Sequence, residues 1–164
     1  QSHKFLGIIT NKPDRTISSL GSPDEWMEIE ITVDSGASDT VLPPHIVSRI
    51  PMMRSAKVGT RYEVAKGGII ENLGEKICSL RLGPGQPEML MTFQVVEVHK
   101  PLLAVSRIVE AGNTVVFSKD DPHIQIKDGP KLPLKLVAGT YELELWIKNE
   151  PGKPEQGFSR LGPR

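Results

Sequence analysis

The chain is poor in the residues that build metal sites and disulfide frameworks. It has one cysteine, Cys78, and four histidines that share no metal-ligand spacing with it or with one another. An intramolecular disulfide is therefore excluded, and we expect no zinc site and no other cofactor. Cys78 lies in an apolar pattern typical of a strand, which indicates a buried and inert thiol instead of a nucleophile.

Net charge is also absent, because 20 lysines and arginines balance 20 aspartates and glutamates. A balanced charge argues against a broad electrostatic attraction to nucleic acid or to an anionic membrane. No apolar run reaches the ~18 residues that a membrane-spanning helix needs, and the first residues lack the apolar core of a signal peptide. We expect a protein without nucleic acid or a membrane as partner, and not secreted through a signal peptide.

Glycine and proline are abundant, with 15 and 14 residues among 164. Spread through a chain of this length, they predict one domain of many short strands joined by turns. The clearest strand covers residues 27–33, where apolar and polar side chains alternate. Helical spacing of apolar residues predicts a helix over residues 102–111. The other predicted strands cover residues 5–10, 61–64, 69–71, 77–82, 89–98, 113–117, 123–126, 132–137 and 140–147.

The last residues of the chain differ in composition from the rest. Residues 149–164 are rich in proline, glycine and charge and contain few large apolar side chains. Such a segment buries too little apolar surface to offset the entropy lost on ordering. The sequence therefore predicts a folded domain over residues 1–148 and a flexible tail or linker over residues 149–164.

Asp34 is the residue whose position indicates chemistry, because it ends the alternating strand and opens an Asp-Ser-Gly turn. Two carboxylates held together share one proton, so one can activate water while the other donates to a carbonyl oxygen. Ser35 can hydrogen-bond across to a partner loop, Gly36 lets two backbones approach, and Ala37 leaves room for substrate. Asp-Ser-Gly is also an ordinary turn after a strand, so the tripeptide alone leaves a purely structural role open.

A second acidic residue, Asp39, follows five positions after Asp34. Two interpretations of it are equally compatible with the sequence. Its carboxylate either holds the loop by hydrogen bonds or is a solvated turn residue.

The longer string ITVDSGASDTVLP, residues 31–43, resembles the active-site segment of retropepsin-like aspartic proteases. Two more segments resemble that family, in its order and at sensible spacing. The first is similar to the flap hairpin of retrotransposon proteases, although a lysine stands where its tip often carries Asn or Asp. The second is similar to the family's second landmark, with Ala104 at the usual glycine. The flap and substrate-binding candidates are Tyr62, Val64, Ala65, Lys66, Gly67, Gly68 and Ile69, and the second-landmark candidates are Leu102, Leu103 and Ala104.

This resemblance, which covers residues 27–147, implies an all-β fold: a small closed, retropepsin-like barrel with one short helix in its C-terminal half. It also implies an aspartic endopeptidase, in which water is activated between the Asp34 carboxylates of a homodimer and residues 35–38 shape the loop. The implied loop residues are Ser35, Gly36, Ala37 and Ser38. The implied substrate is a peptide or the polyprotein of a retroelement, and the implied location is the cytoplasm or a retroelement particle.

The sequence also leads to an expectation about the dimer interface and leaves two alternative functions open. The terminal strands, residues 5–10 and 140–147, are the expected interface strands, since pairing them would cover exposed edges. One alternative is a catalytically weak or inactive peptide-binding domain on the same fold, which Ala104 in place of glycine favours. The other is a structural β-domain of a larger polyprotein, in which Asp34 is a plain turn residue.

Overall fold

The computed structural model describes residues 4–5, 18–19, 26–65, 67–150 and 159–163. These residues form fifteen short strands and one helix, α1 (Val105–Glu110), which confirms the all-β prediction. No helix in this part of the chain is long and apolar enough to cross a membrane. The strands are β1 (Lys4–Phe5), β2 (Ser18–Ser19), β3 (Trp26–Asp34), β4 (Val41–Leu42), β5 (Arg61–Glu63), β6 (Ile69–Glu71), β7 (Gly74–Arg81), β8 (Met89–Val95), β9 (Leu102–Ala104), β10 (Thr114–Val116), β11 (His123–Gln125), β12 (Lys131–Pro133), β13 (Lys135–Val137), β14 (Thr140–Lys148) and β15 (Ser159–Arg160).

Nine of these strands belong to one sheet, and the other six form two three-stranded sheets. Within the large sheet, hydrogen-bonded neighbours form a closed circuit in the order β14, β7, β8, β4, β9, β3 and back to β14. The core fills this circuit. Strand β3 shows how it forms: Ile29, Ile31 and Val33 alternate inward and are almost fully buried. The predicted alternation is therefore confirmed for these three residues, whereas Thr32, on the other face of the strand, is buried as well. Asp34 lies on the same face as Thr32.

The predicted helix over residues 102–111 is wrong in its first three residues. Leu102–Ala104 is strand β9, which runs parallel to β3 and places Ala104 beside Asp34. All three residues are buried, and Leu102 also pairs with Val41 of β4. Helical spacing of apolar residues cannot distinguish a buried strand followed by a short helix from one longer helix. The difference matters because the strand, not the helix, contacts the end of β3.

The sequence predicts an interface strand over residues 140–147, and this strand, β14, has partners within its own chain. Tyr141–Lys148 pairs along its length with β3, while its other edge pairs with β13 and with the end of β7. A strand with partners on both edges has few backbone groups left to pair with a second chain. The other expected interface strand, residues 5–10, lies outside the described residues except for Phe5.

The predicted flexible tail over residues 149–164 is wrong at its far end. Residues 151–158 lie outside the described part of the chain, but Ser159–Arg160 pairs in parallel with Met89 and Leu90 of β8. Leu161 is fully buried in the main core, and its N–H donates to the Leu90 carbonyl at 2.9 Å. The buried side chain of Leu161 therefore places this part of the polar segment in the core.

Leu161→Ala tests whether this return stabilises the domain. We expect the free energy of unfolding to fall by about 2–4 kcal/mol, because a fully buried leucine is truncated to leave a cavity. Chemical denaturation of both proteins measures the loss. The matched control is Leu136→Ala, where the leucine is 60% exposed and the loss should stay below about 1 kcal/mol. Equal losses at both positions would contradict this placement of the chain end.

Candidate active site

The Asp34 carboxylate lies at the carboxyl end of β3 and is held by only one of its two oxygens. The Gly36 N–H donates to Asp34 Oδ1 at 2.7 Å, which closes a tight turn over Ser35. Asp34 Oδ2 is buried and has no hydrogen-bond partner among the described residues. A buried carboxylate oxygen without a donor is costly, so this oxygen is suited to accept a proton or a hydrogen bond from another molecule.

The loop after Asp34 is fastened to β9. The chain leaves β3 on one side of β9 and returns as β4 on its other side, so β9 lies between them. The Ala104 N–H donates to Thr40 Oγ1 at 3.1 Å, which joins the second landmark to the active-site loop. Ala104 is fully buried without disturbing the register that places it beside Asp34. The predicted landmark residues therefore meet the predicted catalytic residue.

A cavity of about 310 Å³ adjoins Asp34. It lies where the end of β3 meets the turn between β13 and β14, and two aromatic rings close one side. Of the loop residues predicted from the sequence, Ser35 lines this cavity, whereas Ala37 is buried and Ser38 half-buried. The complete lining is Thr32, Val33, Asp34, Ser35, Phe117, Gly139, Thr140 and Tyr141.

The two strands predicted over residues 61–64 and 69–71, which resemble a flap, form a hairpin. Strands β5 and β6 pair antiparallel, and Gly67 takes a φ of +85° at the tip, a conformation that favours glycine. Lys66 lies outside the described residues. Val64 and Ile70 pack against a small apolar cluster of their own. Its buried members are Val41, Tyr62, Val96, Val98 and Leu102. The base of the flap is thus packed on β4 and β9, while Ala65, Gly67, Gly68 and Ile69 are exposed.

Asp39 holds the loop together, which confirms the first of its two interpretations. Its carboxylate is 1% exposed and accepts hydrogen bonds from Tyr62 Oη at 2.8 Å, Lys57 Nζ at 2.6 Å and Arg107 Nη2 at 2.7 Å. Tyr62 also accepts a hydrogen bond from Asn72 at 3.1 Å. One carboxylate therefore joins the loop after Asp34 to Lys57, to Tyr62 on β5 and to Arg107 on helix α1.

These contacts determine the protonation states of Asp39 and Tyr62. Burial alone would raise the pKa of Asp39, but hydrogen bonds from Lys57, Tyr62 and Arg107 outweigh it and hold the pKa below its usual value. Burial raises the pKa of Tyr62, and the neighbouring Asp39 carboxylate raises it further. Tyr62 is therefore a neutral donor and Asp39 a charged acceptor at neutral pH.

The ion pair between Glu142 and Lys100, next to Thr32 of β3, is not predictable from the sequence. Glu142 is 1% exposed on β14 and accepts hydrogen bonds from Thr32 Oγ1 at 3.0 Å and Thr140 Oγ1 at 2.9 Å. Lys100 donates to the same carboxylate. Alternation along residues 140–147 places Glu142 on a solvent face, and only the pairing of β14 with β3 shows that Thr32 lies opposite it. The pair fixes the strand that carries Asp34.

Two other features on which chemistry could depend are clusters of metal ligands and the single thiol. Among the described residues, no three histidine, cysteine or acidic side chains are grouped as metal ligands. Cys78 is fully buried as predicted, and burial raises the pKa of its thiol to about 12. Such a thiol is protonated at neutral pH and is a poor nucleophile.

Comparisons with known proteins identify no relative of this chain. No family model matches it, and neither a curated protein nor a solved structure matches it. Function is therefore inferred from the residue pattern and from the geometry around Asp34.

Asp39→Asn tests the junction between loop, flap and helix. We expect the free energy of unfolding to fall by about 1–3 kcal/mol at neutral pH, because three donors lose their charged acceptor. The depressed pKa of Asp39 in the folded state stabilises the protein above about pH 4, and this contribution is lost as the pH falls through the folded-state pKa. The difference between wild type and variant should therefore narrow below about pH 4.

Denaturant unfolding across a pH series measures both effects. Asp120→Asn is the matched control, since Asp120 is an exposed turn residue and its change should leave stability nearly unaltered. A wild-type advantage of the same size at about pH 3 and pH 7 would show that the Asp39 charge contributes nothing.

Proposed function

We propose that this protein is an aspartic endopeptidase of retropepsin-like fold, active as a homodimer. The observation that carries the proposal is the state of Asp34 at the end of β3. One carboxylate oxygen is held by the Gly36 N–H, and the other is buried beside a cavity with no partner among the described residues. The order of active-site motif, hairpin and second landmark supports the same conclusion, because Ala104 lies beside Asp34 and Tyr62 of the hairpin donates to Asp39 in the loop that follows Asp34.

The reaction needs two carboxylates, whereas the chain has one strand-end Asp-Ser-Gly. A twofold axis supplies the second as Asp34 of another copy. The two carboxylates share one proton, because two carboxyl groups in direct contact cannot both be ionised. The ionised one takes a proton from water, whose oxygen adds to the peptide carbonyl carbon. The protonated one donates to the carbonyl oxygen, which gives a tetrahedral diol. Transfer of a proton to the amide nitrogen then breaks the C–N bond and releases an acid and an amine.

The flap hairpin supplies the peptide site in this proposal. An extended peptide lying under β5 and β6 would be bound through main-chain hydrogen bonds, as an added strand would be. The exposed tip is free to move, while the packed base keeps the hairpin in register with the active-site loop. The substrate class, a retroelement polyprotein processed in the cytoplasm or in a particle, comes from the family resemblance.

The alternative of an inactive peptide-binding domain was favoured by Ala104 in place of glycine. The Ala104 methyl group is accommodated in a fully buried strand position, and the hydrogen bond to Thr40 forms. This departure from the family pattern therefore gives no structural reason for inactivity. Cleavage assays decide between the two functions.

Asp34→Asn should abolish peptide cleavage, by at least roughly a thousandfold, because an amide cannot serve as the base. Fold and association should persist, since the amide oxygen still accepts from the Gly36 N–H. Cleavage of a peptide library by wild type should resist chelators and thiol blockers and be lost to a pepstatin-like mimic of the diol. Asp120→Asn is the control and should keep full activity. Appreciable turnover by the Asp34→Asn protein would rule out this role for Asp34.

Mixing experiments test whether the second carboxylate comes from another copy. With a ninefold excess of Asp34→Asn chains and random exchange, about one tenth of wild-type chains pair with wild type. Activity per wild-type chain should then fall to about a tenth, as measured after incubation long enough for exchange. A ninefold excess of a folded carrier protein is the control. Unchanged activity in the presence of exchanged, inactive chains would show that one chain suffices.

A further inference from the structure

The lining of the cavity beside Asp34 contains one ionisable acid and no base. None of its eight residues is a lysine, an arginine or a histidine. Asp34 Oδ2 is buried and has no hydrogen-bond partner among the described residues. A buried carboxylate oxygen without a donor is costly, and a donor on the molecule that fills the cavity would remove this cost. The charge of the lining therefore favours a cationic occupant.

The two threonine hydroxyls of the lining have no hydrogen left to donate to an occupant. Thr32 Oγ1 donates to Glu142 at 3.0 Å. Thr140 Oγ1 lies between two acceptors, the Val137 carbonyl at 3.0 Å and Glu142 Oε2 at 2.9 Å. Because a hydroxyl has a single hydrogen and two lone pairs, each of these oxygens can only accept from a further group. An occupant that carries donors is therefore matched by both threonines.

The charged groups next to these threonines are negative on balance. Lys100 bonds both Glu142 and Glu30, so one ammonium group is shared by two carboxylates. With Asp34 included, three carboxylates face one lysine in this region. Such an excess gives a negative potential, which attracts cations and repels anions. The surroundings of the cavity thus favour the same class of occupant as its lining.

Two aromatic rings on one side of the cavity suit a planar cation. The rings of Phe117 and Tyr141 are in contact, with centroids 4.7 Å apart and planes tilted by 41°. Phe117 is 43% exposed, so part of its ring is uncovered. The face of an aromatic ring attracts a cation, and a guanidinium group also stacks on it. A volume of about 310 Å³ has the size of the smallest ligand pockets and suits one side chain instead of an extended peptide.

We infer that the cavity beside Asp34 binds the guanidinium group of an arginine side chain from another polypeptide. The guanidinium group supplies several N–H donors for the carboxylate and the threonine oxygens, and its plane matches the aromatic side. An apolar side chain would fill the same space but would leave the carboxylate oxygen buried without a donor. Asp34 is also the carboxylate used in the proposed reaction, so a bound arginine should inhibit cleavage. The inhibition rests on the proposed function, whereas the binding does not.

Titration with N-acetyl-arginine N-methylamide tests the binding. In proton–nitrogen correlation spectra, the amide signals of Ser35, Gly139 and Thr140 should shift and saturate, with a dissociation constant in the millimolar range. The matched probe is N-acetyl-citrulline N-methylamide, which has nearly the same shape and no charge. It should bind at least roughly tenfold more weakly, because the charge-assisted hydrogen bonds are lost.

Two variants of the lining separate the contributions of charge and ring. Asp34→Asn should weaken binding of the arginine probe at least roughly tenfold. Phe117→Leu should weaken it about two- to fivefold, and Phe117→Tyr should restore it, because the second variant keeps an aromatic face. Phe117 is partly exposed, so both of its variants should fold, and the dispersion of the same spectra verifies this. Asp120→Asn, at an exposed turn, is the control and should bind as wild type does.

A cleavage assay in the presence of the probes measures the inhibition. The arginine probe should compete with the peptide substrate, with an inhibition constant equal to its dissociation constant, and the citrulline probe should not inhibit at the same concentration. Binding without inhibition would show that the cavity is separate from the reaction and would overturn that part of the inference.

The remaining outcomes distinguish the cavity from the proposed enzyme. Equal binding of the arginine and citrulline probes, or binding unaffected by Asp34→Asn, would overturn the inference. Tighter binding of N-acetyl-norleucine N-methylamide would also overturn it and would assign the cavity to an apolar side chain. A protein that binds the arginine probe as expected but cleaves no peptide would leave the arginine site standing and refute the enzyme.

Discussion

The Asp39 carboxylate is the contact on which the arrangement of the site depends. It lies on the loop after Asp34 and is buried, and it receives donors from Tyr62 on β5, from Lys57 before β5 and from Arg107 on α1. A charged group removed from water is tolerated only when such donors replace the lost hydration. The position of the β5–β6 hairpin relative to this loop therefore depends on a charge as well as on apolar packing.

The pairing of β14 with β3 is a second constraint on the position of Asp34. Eight consecutive residue pairs join the two strands, and Glu142 fastens Thr32 two residues before Asp34. The strand that carries the carboxylate is thus held along its length by β14 and at its end by β9. Positioning catalytic groups on strands held on both sides restricts their movement, which favours chemistry that depends on tenths of an ångström.

Local signals predict part of this structure well. The alternation in β3, the Asp-Ser-Gly turn, the glycines of the flap and the burial of Cys78 are each encoded within a few neighbouring residues. Elements defined by distant partners are not predictable in this way. Leu102–Ala104 becomes a strand because β3 and β4 are available on its two sides, and Glu142 is buried because Lys100 and Thr32 arrive from elsewhere. Composition also predicts residues 159–161 wrongly as part of a flexible tail, because one buried leucine, Leu161, lies within a polar segment.

The return of the chain at β15 has a consequence for the timing of folding. Residues 159–161 complete one edge of β8 and fill a place in the main core that earlier residues leave open. During synthesis, the domain therefore lacks part of its core until these residues have left the ribosome, although every residue that lines the Asp34 cavity precedes them in the chain. A nascent chain is less stable over this interval, and full assembly of the site follows the completion of its last strand.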